Sequence, residues 1–260
     1  MMFLTPWVTR LILMNLVAFF VAAPGSALYS QLALFPVVVH LTPWTVITYM
    51  FLHAGFWHLA FNMIGLLFFG PRLEARLGVQ RFLTLYFLSG LGGAAFSLFF
   101  EPNVAVVGAS AAVYGIVLAF AYYWPRETVL IWGVLPVQIW ALATFMVVAS
   151  LFYSISGTGG NTAHFAHLGG LAFGFAYLRW IEWKRRRRID QANAVPGRQH
   201  FSVPGLGDRE RLTRWKKIDP ASLHSLNRQE VEDLLRRVDA EGASSLSQDE
   251  RAFLDRMAPQ

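Results

Sequence analysis

Ser110 lies in VGASAAVY (Val107 to Tyr114), between two alanines and at the start of a long apolar stretch that reads as a membrane-spanning helix. The first turn of a helix leaves its backbone N–H groups without intrahelical partners and carries the positive end of the macrodipole. Negative charge developing beside Ser110 therefore meets ready donors, which is half of an acyl-transfer site. The other half is a base, and the chain offers His167 in AHFAHLGG at the head of its last apolar segment. Gly, Ala and Ser are also the ordinary packing residues of membrane helices, so Ser110 rises above packing only through its company.

That company is polar where the chain is otherwise apolar. His58 and Asn62 are spaced i, i+4 and share a helix face, with Gly65 one turn further on. Polar side chains at such depth are costly unless they face the protein interior or a wet cavity, so the pair points to a functional site, with interhelical hydrogen bonding as the other reading. His53 lies on another face, nearer the surface, where it is expected to steady its loop by hydrogen bonding. In the last apolar segment His164, His167, Gly170 and Gly174 form one stripe, and the two glycines permit another helix to approach closely. Tyr114 lies one turn beyond Ser110, where its ring can pack on an imidazole arriving from that segment.

The elements that must position these residues are membrane helices. The chain is 55% hydrophobic and 15% aromatic with a mean hydropathy of +0.42, and it carries no Asp before residue 184. Crossing a hydrocarbon core of about 30 Å takes roughly 20 residues. The apolar runs predict six spans: Leu11–Ala23, Trp44–Gly70, Phe82–Phe100, Gly108–Trp124, Val129–Tyr153 and His164–Trp180. Arg10 precedes the first run, which reads as a span and not as a signal peptide because more spans follow it. The stretch PRLEARLGVQR reads as a short loop, and Pro24–Pro43 as a long uncharged loop in or on the membrane surface.

Placing Arg10 inside puts Arg72, Arg76, Arg81, Arg126 and Lys184 to Arg188 inside as well, while Pro24–Pro43, Glu101–Val106 and Ser154–Ala163 contain no Lys or Arg. Both termini are then cytoplasmic, and Ser110, His167, His53 and His58 fall together near the outer ends of their helices. The net charge of +6 speaks of membrane orientation and not of nucleic acid. Absence of cysteine removes disulfides, thiolate nucleophiles and sulfur-ligated metals.

TYMFLHAGFWHLAFNMIGL, FFGPRLEARLG, VGASAAVYG and AHLGGLAFG together resemble the rhomboid family of intramembrane serine proteases. The resemblance covers the six-span region. It implies an all-α polytopic bundle of six transmembrane helices in which Ser110 is the nucleophile and His167 the general base. It also implies that His58 and Asn62 help the Ser110 backbone N–H hold the oxyanion, that Gly108 allows the tight approach before Ser110, and that Tyr114 stacks on the base. Gly170 and Gly174 then seat the sixth helix against the fourth. The family usually has Gly directly after the serine; here it is Ala111, whose methyl is expected to narrow the site.

The expected function is an intramembrane serine endopeptidase that cleaves single-span or multi-span membrane proteins near the outer leaflet of the bilayer, with no cofactor and no metal. The spans hold no Asp, and Glu74 and Glu127 fall on the inner side, so a Ser/His dyad is expected without a third catalytic residue. Two alternatives come from other classes: a catalytically silent relative that binds membrane helices, and a metal or haem protein ligated by His53, His58, His164 and His167. A bacterial inner membrane fits the basic tail best, and the oligomeric state is not legible. The domains expected are a six-span core over 1–183, a basic anchor and flexible linker over 184–222, and a small cytoplasmic helical hairpin over 223–260. Its helices start at NRQE (Asn227–Glu230) and SQDE (Ser247–Glu250), both patterned as capping boxes.

Overall fold

The computed structural model describes residues 4–131, 134–156, 163–194, 208–223 and 225–259, and the chain divides into two units, 1–185 and 186–260. The first unit runs α1 Pro6–Val21, α2 Ala27–Leu32, α3 Thr45–Thr48, α4 Phe56–Leu77, α5 Val79–Phe100 and α6 Ser110–Tyr123. A short antiparallel hairpin follows, β1 Thr128–Ile131 and β2 Leu135–Gln138, then α7 Ile139–Ser156 and α8 His164–Ala194, whose end belongs to the second unit. The protein is thus a predominantly helical membrane bundle.

The bundle is built around α6. Its Ala111, Ala112, Gly115, Ile116, Val117, Ala119 and Phe120 are all buried, and small residues at so many positions let α4, α5 and α8 close in from different sides. At 14 residues α6 is about 21 Å long, short of the roughly 30 Å of a hydrocarbon core. By length and composition α5 and α7 are each able to cross, as is the pair formed by Thr45–Phe51 and α4. Helix α7 buries Ile139, Ala143 and Ser150 and exposes Phe145, Val148, Phe152 and Ile155, as a helix bathed in lipid does.

Several boundaries differ from the sequence-based expectation. The second span is not continuous from Trp44: Thr45–Phe51 meets α4 at 93°, because Leu52 and Gly55 are extended and interrupt the i→i−4 ladder. PRLEARLGVQR is not a loop. Helix α4 carries Pro71 inside it and continues to Leu77, since one missing N–H costs less than is gained by burying Leu73 and Leu77 and by the hydrogen bonds Glu74 makes there. The break is Gly78, at φ 76°, after which α5 starts at once. Glu74 does not answer the neighbouring arginines. It turns to the N-terminus of α1, where it accepts from Thr5 Oγ1 at 2.5 Å and from the Val8 N–H at 3.0 Å. The fifth span begins at Ile139 and not at Val129, because Thr128–Ile131 pairs antiparallel with Leu135–Gln138, Val129 opposite Val137. The long Pro24–Pro43 loop contains α2 and is stitched to the segment before Ser110 by mutual Leu34 and Val106 backbone hydrogen bonds. Part of the Ser154–Ala163 loop, residues 157–162, lies outside the described residues.

The second unit holds α9 Asp208–Trp215, α10 Ser225–Glu241 and α11 Gln248–Met257. Its core joins Trp215, Ile218, Val231, Leu234, Val238 and Leu254. The expected linker therefore ends early: Trp215 is 1% exposed and donates from Nε1 to Asp255 Oδ1 at 2.9 Å, which makes α9 part of the packed unit. Of the expected linker, residues 195–207 lie outside the described residues. Asn227 is not a cap, because α10 is already helical from Ser225. At SQDE the capping box forms, with Ser247 and Glu250 bonding each other's backbone N–H.

Candidate active site

Two helix N-termini meet at the centre of the first unit. Ser110 is the first residue of α6, following Ala109, which offers no side-chain cap, and α6 has no acidic residue in its first turn. His167 lies on the first turn of α8, and its Nε2 is 2.8 Å from Ser110 Oγ. The imidazole plane is held by Tyr114, stacked at 4.2 Å between centroids and 15° between planes. Among the described residues His167 Nδ1 is buried with no hydrogen-bond partner, and no carboxylate orients the ring from behind.

Close helix approach makes this meeting possible. A Cβ on Gly170 would lie 2.1 Å from the Ala111 carbonyl oxygen, and one on Gly174 would lie 2.9 Å from Ser89 Oγ and 3.1 Å from the Gly115 Cα. Gly65 faces Val113 in the same way across α4 and α6. Gly108 has φ +120°, a conformation open to glycine, and its missing side chain leaves room for His58, whose Nε2 is 2.7 Å from where a Cβ would stand.

His58 sits in the first turn of α4, and its Nδ1 accepts from the Ala54 N–H at 3.3 Å. In the neutral ring the proton is then on Nε2, which faces Gly108 and the Ser110 turn as a donor. Asn62 is 6% exposed and donates from Nδ2 to the His58 carbonyl at 2.8 Å, which leaves its second amide hydrogen for another acceptor. Ser110, His167, His58 and Asn62 line one cavity of about 1180 Å³ that continues past Val117 to Leu130 on the hairpin. A hydroxyl against an imidazole, with several donors converging on one side, is an arrangement able to perform acyl transfer.

Two further histidines flank the site. The first is His53. It is fully buried, meets His58 edge-on at 5.0 Å, and has no hydrogen-bond partner at either ring nitrogen among the described residues. His164 stacks on Tyr153 of α7 at 5.0 Å and touches His167 only edge-on. Among the described residues no three His, Asp or Glu side chains are grouped to hold a metal ion.

The sequence reading missed what receives α6 from the α5 side. A Cβ on Gly93 would stand 2.5 Å from the Ala111 methyl, so the methyl occupies the room Gly93 leaves open and is turned toward α5. Gly92 and Gly169 meet backbone to backbone in the same layer. The small-residue run SGLGG (Ser89–Gly93) was the available signal.

Residues 40–184 match the Rhomboid domain. The chain is 34% identical over 161 residues to rhomboid protein 1, mitochondrial, of Saccharomyces cerevisiae, covering 57% of this chain and 46% of that protein. It is 35% identical over 137 residues to rhomboid-like protease 3 of Toxoplasma gondii, covering 52% and 50%. It is 36% identical over 146 residues to the rhomboid protease candidate YdcA of Bacillus subtilis (strain 168), covering 56% and 70%. The chain spans about half the length of the first curated relatives it matches. With more than half of its residues inside the matched domain, and with the site above inside that stretch, the chain belongs to the rhomboid family.

Proposed function

We propose that this protein is an intramembrane serine endopeptidase in which Ser110 is the nucleophile and His167 the general base. The observation that carries the reading is the 2.8 Å contact between His167 Nε2 and Ser110 Oγ, clamped by the Tyr114 stack, in a chain whose relatives are named as proteases. Ser110 Oγ attacks a peptide carbonyl carbon while its proton passes to Nε2, and the new oxyanion meets the Ser110 N–H, the His58 Nε2–H and an Asn62 amide hydrogen. The imidazolium then protonates the departing amine, leaving an acyl ester on Ser110. Water, giving its proton to Nε2, hydrolyses the ester and restores the serine.

The positive-inside pattern supports cytoplasmic termini and a nucleophile near the outer leaflet, since the arginines cluster at the far ends of α4 and α6 from Ser110. Substrates are then membrane proteins with a Gly-, Pro- or Ala-rich stretch at that depth, because a peptide bond tied into an intact helix cannot be laid out extended against Ser110.

The test uses purified full-length protein and a serine-directed fluorophosphonate probe. Ser110 is expected to label at neutral pH. His167→Ala should lose labelling and cleavage of a single-span substrate together, while His164→Ala should keep much of both. Labelling elsewhere than Ser110, or equal dependence on His164 and His167, would overturn the dyad. A chelator should change neither readout.

A further inference from the structure

The two helix ends at the site face opposite demands. The α6 end must stay electropositive for an oxyanion, and the α8 end lies beside a histidine that has to accept a proton. An uncapped α8 N-terminus would hold His167 in a positive field and oppose formation of the imidazolium. Helix α8 carries no acidic residue in its first turn. Of the four carboxylates before residue 184, Glu74 serves α1, Glu127 pairs with Arg72 at 2.9 Å and Glu182 accepts from Tyr123. The fourth is Glu101, at the C-terminal end of α5.

Glu101 is brought to α8 by its neighbour: Phe100 stacks on Phe165 at 4.9 Å and 12°. The stack sets Glu101, the residue after Phe100, beside the first turn of α8 with its carboxyl near the backbone N–H of Phe165, two residues before His167, and its Oε2 is shut from solvent with no hydrogen-bond partner among the described residues. We propose that Glu101 is a positioning residue for the reaction, its carboxylate neutralising the α8 N-terminus so that His167 can hold a proton, while the α6 N-terminus is left open for the oxyanion. This rests on the Ser110/His167 reading.

Partial burial raises the Glu101 carboxyl above the usual carboxylate range, and the Phe165 amide draws it back toward the charged form. The ionisable groups that face His167 are His164 on α8, which meets it edge-on, Tyr114 on α6, which stacks on it, and His58 on α4 across the shared cavity. None of them is acidic.

Full-length Glu101→Gln and Glu101→Asp proteins, matched to wild type by thermal unfolding, test this. Gln keeps an acceptor oxygen for the Phe165 N–H and removes only the charge. Glu101→Gln should lower kcat for a single-span substrate, and the rate of fluorophosphonate labelling at Ser110, by about three- to tenfold with KM little changed. The acid limb of its rate–pH profile should move to lower pH, and Glu101→Asp should recover part of the rate. Wild-type rates and an unmoved profile in Glu101→Gln would overturn the inference while leaving the dyad standing. So would equal losses in the Gln and Asp variants with no change in profile, since that pattern is a packing role. Failure of the wild-type protein to label Ser110 would instead remove the reading on which it rests.

Discussion

Glu74 of α4 closes the N-terminus of α1, accepting from Thr5 Oγ1 at 2.5 Å and from the amides of Trp7 and Val8. A buried carboxylate on unpaired first-turn amides satisfies both partners at once, with the helix dipole in its favour. Glu74→Ala should destabilise the bundle by about 1.5–3 kcal/mol, the range for hydrogen bonds to a charged group. Thermal unfolding in detergent would show it, and labelling of Ser110 per folded molecule should be unchanged. A loss no larger than that of an exposed arginine such as Arg81→Ala would contradict this account.

The parts of the molecule that stand out in the sequence are those where residue chemistry conflicts with an apolar environment. His58, Asn62, Ser110 and His167 do so, and the structure brings all four to one cavity. What did not stand out depends on contacts across the bundle. The apolar run through Leu52 to Gly55 continues on both legs of the 93° bend, so hydropathy alone draws one span there. Pro71 reads as a stop, and only the burial of Leu73 and Leu77 and the hydrogen bonds of Glu74 show why the helix goes on. The Val129–Val137 pairing is hidden because a short apolar strand and a piece of membrane helix have the same composition. Trp215 looked like linker because its partners lie about forty residues away on α11.

His58 and Asn62 should not contribute equally. The Asn62 amide already spends one hydrogen on the His58 carbonyl, whereas the His58 Nε2–H faces the Ser110 turn with its tautomer set by Ala54. Loss of one oxyanion donor typically lowers kcat by about 10²–10³-fold. Asn62→Ala is expected at or below the lower end and His58→Ala above it, each with a small change in KM. Steady-state kinetics on one substrate decide the matter; an Asn62 effect larger than that of His58 would put the amide at the centre of the oxyanion site.

Glu250 gives the second unit a pH dependence. Its carboxylate accepts from the Ser247 N–H at 2.7 Å and from Arg237, and these hydrogen bonds, the Ser247 backbone first, hold it below the usual carboxylate range. A lowered folded-state value means the contribution is present above the unfolded value of about 4.3 and is lost as pH falls through the folded one. Hydrogen exchange of α11 in the intact protein, corrected for intrinsic rates, should show wild type better protected than Glu250→Gln near neutral pH. That gap should close in acid. A gap that stayed constant down to pH 3 would mean the charge plays no part.

Ala111 and Gly93 form a pair across α6 and α5, and their geometry decides whether the residue after the nucleophile restricts the site. A methyl on Gly93 would stand 2.5 Å from the Ala111 Cβ, 2.8 Å from the Tyr49 hydroxyl and 3.1 Å from the Ala166 carbonyl. Gly93→Ala should therefore cost about 1–3 kcal/mol through overpacking. Ala111→Gly should cost about 1 kcal/mol through lost helix propensity. In the Ala111→Gly background the Gly93→Ala change loses its nearest clash and should cost less, so the double-mutant cycle is non-additive in the stabilising direction. Because the methyl is turned toward α5, fluorophosphonate labelling of folded Ala111→Gly should stay within about twofold of wild type, against the narrowing expected from the sequence, since contact with the packed helix costs stability and not access. Additive unfolding energies together with a tenfold gain in labelling would show that the methyl intrudes on the site after all.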